Sequence, residues 1–71
     1  MFSSRTALHQ ASQKGQADVV ELLLTNGAEI EAVDDKQATS LILASELGQT
    51  SVVKILLANG AQVDKRQDGY V

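Results

Sequence analysis

The sequence predicts an all-α fold built from two helix-turn-helix units, which are joined by a protruding β-turn arm. Three observations predict this fold. The chain repeats itself at a spacing of 33 residues, apolar side chains recur at helical intervals in each copy, and a glycine follows each apolar segment. A gapless period of this length is typical of a solenoid, in which successive units pack on one another.

The internal repeat divides the chain into a short leader and two units. Residues 6–38 and 39–71 are identical at 14 of their 33 aligned positions, whereas average residue usage predicts about two identities by chance. We therefore place a leader at residues 1–5, the first unit at 6–38 and the second unit at 39–71. Gly69 comes one residue early for a further repetition, so the second unit is predicted to run into the start of a third.

Each unit is predicted to begin with a short helix. Thr6 and Thr39 suit the N-cap position, where a threonine side chain accepts a hydrogen bond from an otherwise unpaired N–H group. Leu8, Ala11 and Ser12 then follow the i, i+3, i+4 spacing of one helical face. Because alanine is small, this face predicts close packing between the first helices of the two units.

A second, strongly apolar helix is predicted to follow in each unit. Its side chains are apolar around most of the circumference, so it must pack on several neighbours. The apolar residues are Val19, Val20, Leu22, Leu23 and Leu24 in the first unit and Val52, Val53, Ile55, Leu56 and Leu57 in the second. One pair of helices could not cover them, and we expect Val52, Val53, Ile55 and Leu56 to face outward.

Turn residues separate the helices and shape the arm. Gly15 and Gly27 are predicted to end the two helices of the first unit, because glycine accepts the left-handed conformation common at helix ends. Glycines recur at the matching positions of the second unit. Between the units, the charged segment 31–36 predicts an extended arm with a turn at Asp34-Asp35.

The carboxylates of this arm are interpreted as a solvated acidic surface. Glu29, Glu31, Asp34 and Asp35 do not follow the alternating ligand spacing of a calcium-binding loop, and the segment lacks the central glycine of such a loop. An acidic patch that contacts a basic partner remains the alternative interpretation.

Composition excludes several classes of function. The chain has 71 residues, no cysteine, one phenylalanine, one tyrosine and a net charge of −3. This length excludes a multidomain enzyme, and the lack of cysteine excludes a disulfide and fits a reducing compartment. Nucleic-acid binding is not expected, because the six lysines and arginines form no basic stripe. No apolar run is long enough to span a membrane, so we expect an intracellular, cytoplasmic protein.

No catalytic, cofactor or metal site is predicted. His9 has no second histidine or cysteine with which to hold a metal ion, and no nucleophile with an orienting partner can be assigned to it. The glycines match no phosphate-binding motif. An enzyme is therefore the least favoured class of function.

Two segments of the first unit resemble the ankyrin repeat family. Residues 6–11, TALHQA, match its T-P-L-H-x-A motif with Ala7 in place of proline, and residues 19–28, VVELLLTNGA, match V-V-x-L-L-L-x-x-G-A throughout. The resemblance extends over residues 6–66. It implies an ankyrin-type solenoid in which the His9 side chain bridges hairpins by hydrogen bonds. Tetratricopeptide repeats, the nearest helical alternative, lack a glycine-alanine pair followed by a charged arm.

Three further positions depart from the family pattern. Ser40 replaces the proline of the second unit, and Ile42 replaces its histidine. Loss of the proline removes only a preset backbone angle in the first turn of a helix. Gln37 stands where the family prefers glycine, and glutamine is unfavourable for a tight turn there.

The resemblance also implies which residues contact a partner, because ankyrin repeats bind partners with the tips of their arms and the outward faces of their first helices. Leu47 is notable because it is apolar where its counterpart in the first unit, Lys14, is charged. An apolar centre with a charged rim is typical of contact surfaces. The predicted partner-binding residues are Arg5, Gln13, Lys14, Val33, Asp35, Lys36, Ala38, Glu46, Leu47 and Arg66.

The sequence thus predicts a non-catalytic protein-protein interaction module that binds a protein partner. The alternative is a structural spacer, which extends a solenoid and binds no partner of its own. Two units are fewer than the three that such arrays normally need. We therefore expect the chain either to be a segment of a longer array or to associate with copies of itself through its uncapped ends.

Overall fold

The computed structural model describes residues 5–63, and these contain four helices. The helices are α1 (Ala7–Gln13), α2 (Ala17–Thr25), α3 (Ser40–Glu46) and α4 (Thr50–Ala58), and no strand occurs in this part of the chain. Within each unit the two helices pack on each other, while α1 packs on α3 and α2 packs on α4. The predicted all-α solenoid of two helix-turn-helix units is therefore confirmed.

Threonine caps start the first helix of each unit, as predicted. The Thr6 hydroxyl oxygen accepts a hydrogen bond of 3.2 Å from the His9 N–H group, and the Thr39 hydroxyl oxygen accepts one of 3.3 Å from the Ile42 N–H group. In the first unit His9 also returns the bond, since its Nδ1 accepts from the Thr6 N–H group at 3.1 Å. Isoleucine has no atom that can do this, so only α1 begins with a reciprocal capping box.

Glycine ends each helix in the same hydrogen-bonded motif. After α1, the Gly15 N–H group donates to Ser12 O and the Gln16 N–H group donates to Ala11 O, while Gly15 has a φ of +73°. This Schellman arrangement satisfies carbonyl groups that the helix leaves unpaired. The same pair of bonds recurs after the other three helices.

The main core lies between the two units and joins all four helices. Val20, Val52 and Leu56 are fully buried in it, together with the buried side chains of Leu8, Leu41 and two alanines. The prediction that Val52 and Leu56 face outward was therefore wrong. They face the first unit, because the first unit packs across α4 as well as α3, and Val53 and Ile55 are partly buried beside them.

The arm between the units contains the predicted turn. The Gln37 N–H group donates to Asp34 O at 3.0 Å, so the turn begins at Asp34. Gln37 adopts a φ of +66°, and it is the one non-glycine residue of the described chain in the left-handed region. The turn thus keeps a glycine-like conformation although the residue is glutamine, at a conformational cost of about 1 kcal/mol.

Candidate functional site

Four of the predicted contact residues lie at the carboxyl-terminal ends of α1 and α3. Gln13 and Glu46 are the last residues of the two helices, Lys14 and Leu47 are their C-caps, and all four are exposed. Because α1 and α3 are neighbours in the solenoid, these residues occupy matching positions on one side of it. Leu47 is 54% exposed to solvent and is not among the side chains that form or pack against the main core.

The arm contributes Val33, Asp35 and Lys36, which are all exposed. Ala38 was predicted to join them but is buried, and it belongs to a small apolar cluster with Ile42 and Leu43. The physical reason is that the backbone of Ala38 bonds to both Asp34 and the buried His9, which holds the residue inside the fold. Ala38 is therefore unavailable to a partner.

Asp34 organises the arm from within. Its Oδ1 atom accepts hydrogen bonds of 2.9 Å from the N–H groups of Lys36 and Ala38, and its Oδ2 atom lies 3.0 Å from Nε of Arg5. Only 2% of the residue is exposed, so the interpretation of the arm as uniformly solvated carboxylates was wrong for this one. The Ala38 N–H group lowers the pKa of Asp34 to about 2; burial opposes this shift, and Arg5 and the Lys36 N–H group reinforce it.

Arg5 joins the arm to the end of α1. While its Nε atom pairs with Asp34, its Nη1 atom donates a hydrogen bond of 2.8 Å to Oε1 of Gln13. These contacts join Arg5, Gln13 and Asp34 into one hydrogen-bonded group, which connects the arm to the end of α1. The guanidinium group suits this role because its planar donors can address two acceptors at once.

His9 supports the same group from the buried side, and the bridging role implied by the family resemblance is confirmed. Because Nδ1 accepts from the Thr6 N–H group, Nε2 carries the proton and donates to Ala38 O, 2.8 Å away. The Ala38 carbonyl also accepts a bond of 3.0 Å from the Asp34 N–H group. His9 is fully buried, so it positions the arm and is not itself a contact residue.

Sequence reasoning missed Asp34 as the centre of the arm. A local signal was available, since aspartate at the first position of a turn commonly accepts a bond from the N–H group two residues later. The pairing with Arg5 had no such signal, because 29 residues separate the two side chains. Arg66, the last predicted contact residue, lies outside the described residues.

Neither a metal centre nor a membrane span is found among residues 5–63. No three histidine or acidic side chains there are grouped so that they could hold an ion. None of the four helices is long and apolar enough to cross a membrane.

Comparison with known protein families gives a match that covers nearly the whole chain. The family model for ankyrin repeats, described as three copies, matches residues 2–67. A search among curated proteins gives no significant match.

Proposed function

Because the chain belongs to the ankyrin repeat family, whose members are generally protein-protein interaction modules, we propose that it is a non-catalytic module that binds a protein partner. The proposed contact surface combines the tip of the arm with the carboxyl-terminal ends of α1 and α3. Its residues are Arg5, Gln13, Lys14, Val33, Asp35, Lys36, Glu46 and Leu47.

The exposed leucine at the end of α3 carries this proposal. Leu47 is more than half exposed, and charged residues lie beside it at Glu46 and at the matching position Lys14. Burial of a leucine side chain contributes about 1.5–3 kcal/mol, so Leu47 can act as an apolar anchor inside a charged rim. Val33 supplies a second exposed apolar side chain on the arm.

The rigidity of the arm favours binding. The guanidinium group of Arg5 bonds to both Asp34 and Gln13, and the turn is closed by a backbone bond. A surface that is ordered before it meets its partner loses less conformational entropy on binding. The module therefore presents a preformed surface.

Affinity capture followed by binding measurements tests the proposal. Wild-type chain, Leu47→Lys and the control Ala58→Lys are immobilised, and the proteins that each retains are identified and titrated against it. Ala58 is the exposed last residue of α4, outside the proposed surface. We expect Leu47→Lys to weaken binding of a retained partner at least tenfold, with the control unchanged. Equal binding by all three folded chains would contradict the surface, whereas the absence of any retained protein would support the structural spacer.

A further inference from the structure

The outer face of the first unit is apolar and uncovered by any described residue. Val19 on α2 is 39% exposed, whereas its counterpart Val52 on α4 is completely buried against the first unit. Leu22 is likewise exposed, while its counterpart Ile55 is partly buried. Matching side chains therefore differ in burial because the second unit has a neighbour on this side and the first unit has none among residues 5–63.

The opposite face of the second unit shows the complementary difference. Leu57 is 47% exposed, whereas its counterpart Leu24 is packed against the core. Val63 is exposed, and its counterpart Ile30 is partly buried. Leu24 and Ile30 are covered because the second unit packs on them. We call this interface between the two units the seam; the two exposed faces match its two sides.

A glutamine-glycine contact marks the seam between the units. The Nε2 group of Gln49 donates a hydrogen bond of 2.9 Å to Gln13 O, and its side chain lies so close over Gly15 that a Cβ there would stand 2.5 Å from Oε1. A glutamine and a glycine recur at the matching positions of the repeat. Gln16, the counterpart of Gln49, is exposed on the first-unit face, and the space over Gly48, the counterpart of Gly15, is open.

We propose that a second copy of this chain stacks head to tail on the first and continues this seam. The first-unit face of one copy, defined by Gln16, Val19 and Leu22, packs on the second-unit face of the other, defined by Gly48, Leu57 and Val63. The Gln16 side chain then lies over Gly48 and donates to the carbonyl oxygen of Glu46, which is the counterpart of Gln13. Continuity with the internal interface specifies both the occupant and its register.

Charge favours head-to-tail over head-to-head association. The first unit holds two lysines against six carboxylates, a formal charge of −4, whereas residues 39–71 hold equal numbers of cations and carboxylates. Two first-unit faces would bring like charges together, whereas the head-to-tail arrangement places each acidic unit beside a neutral one. Such an interface is heterologous, so it stays open and can add further copies.

This seam meets the proposed partner surface only at the backbone carbonyl of Glu46 and leaves the side chains of that surface uncovered. Lys14 and Leu47 are exposed alike in both units, so the packing of one unit on the next does not cover that surface. Self-association therefore stands independently of the proposed function.

Sedimentation of the whole 71-residue chain, with one variant that blocks each face, tests the proposal. Val19→Glu places a charge on the first-unit face, and Leu57→Glu places one on the second-unit face. We expect the average mass of the wild type to rise above that of a single chain as concentration increases. Each variant alone should remain a monomer, whereas an equimolar mixture should form a dimer, because each supplies the face that the other lacks.

Other outcomes would overturn the proposal. A wild type that is folded and monomeric at every concentration excludes the seam. Dimerisation of Leu57→Glu alone would indicate head-to-head packing, and dimerisation of Val19→Glu alone would indicate tail-to-tail packing. Circular dichroism establishes that each variant is helical, and Leu47→Lys serves as the control that should associate like the wild type.

The variant Gln16→Ala tests the glutamine contact without adding a charge to the face. Gln16 makes no side-chain capping bond in its own helix, so its truncation spares the fold. We expect association to weaken about three- to tenfold. Unchanged association of Gln16→Ala would contradict the proposed register.

Discussion

The Nε2–H group of His9 donates a hydrogen bond of 2.8 Å to the backbone carbonyl of Ala38 and so ties the first helix of one unit to the segment that begins the next. The same imidazole caps its own helix through Nδ1. One buried side chain therefore connects a helix start and the closure of the arm.

Replacing His9 with isoleucine, the residue at the matching position of the second unit, is expected to lower the free energy of unfolding by about 1–3 kcal/mol. The variant loses both ring hydrogen bonds and removes a donor from the buried Ala38 carbonyl. Chemical denaturation measures the effect. Gln10→Ala on the exposed side of α1 should change stability by no more than about 0.5 kcal/mol, and an equal loss in both variants would contradict this assignment.

Acid should destabilise the protein through Asp34. Its pKa is about 2 in the folded chain, against an ordinary value of 3.8, so the carboxylate contributes stability above pH 4 that is lost as pH falls toward 2. Because the Arg5 side chain that pairs with it is partly exposed, we expect a contribution on the order of 1–2 kcal/mol. Between pH 7 and pH 2, the free energy of unfolding of Asp34→Asn should therefore fall by about 1–2 kcal/mol less than that of the wild type.

The neighbouring aspartate provides a matched control for this measurement. Asp35 is exposed and lies on the same turn, so Asp35→Asn should keep the wild-type loss of stability in acid. If both variants lost the same part of the pH dependence, the contacts of Asp34 with Arg5 and the backbone could not be its source.

Gln37→Gly is expected to stabilise the protein by about 0.5–1 kcal/mol. Gln37 has a φ of +66°, which glycine adopts without the steric cost that a side chain incurs. Thermal or chemical denaturation measures the gain. Lys36→Gly, at the preceding position outside the left-handed region, should give no gain, because glycine there only adds freedom to the unfolded chain.

The two matched glycines Gly15 and Gly48 separate backbone strain from contact across the seam. Both have nearly the same positive φ, but only at Gly15 would a Cβ collide with the Gln49 side chain. Gly48→Ala should therefore cost about 1 kcal/mol, and Gly15→Ala should cost at least about 1 kcal/mol more because the bond from Gln49 to Gln13 is also disturbed.

A double-mutant cycle checks this interpretation. Measured in the background of Gln49→Ala, the cost of Gly15→Ala should fall to that of Gly48→Ala, since the colliding side chain is gone. If Gly15→Ala and Gly48→Ala lowered stability equally in the wild-type background, the strain of the positive φ alone would account for both losses.

Local chemistry made the helices and their ends predictable. Thr6 and Thr39 cap helices because a hydroxyl group beside the first N–H groups is sufficient, whatever the remainder of the chain does. The resemblance of residues 6–11 to a known motif also anticipated the bridging role of His9. Burial at the ends of the stack was harder to predict, and Val52 was assigned to the wrong side of α4.

The candidate surface was predicted only in part, for the same reason. Exposure of Leu47 followed from its departure from the first unit, where lysine stands at the matching position. Ala38 was assigned to the surface because the family resemblance places partner contacts on the arm, and Asp34 was assigned there because acidic residues are mostly exposed. Their burial depends on contacts with His9 and Arg5, which are each 29 residues distant in the chain.

By itself, the sequence determined the order of the helices in each unit, the threonine caps that begin α1 and α3 and the glycines that end the four described helices, because caps and left-handed glycines act within a few residues. Tertiary structure alone decided which helix faces are covered and that Asp34 is buried. It also decided that a side chain covers Gly15 but not the equivalent Gly48. These properties depend on what lies on the other side of a seam. Matching residues such as Val19 and Val52 have the same local sequence signals and differ only in having a neighbour.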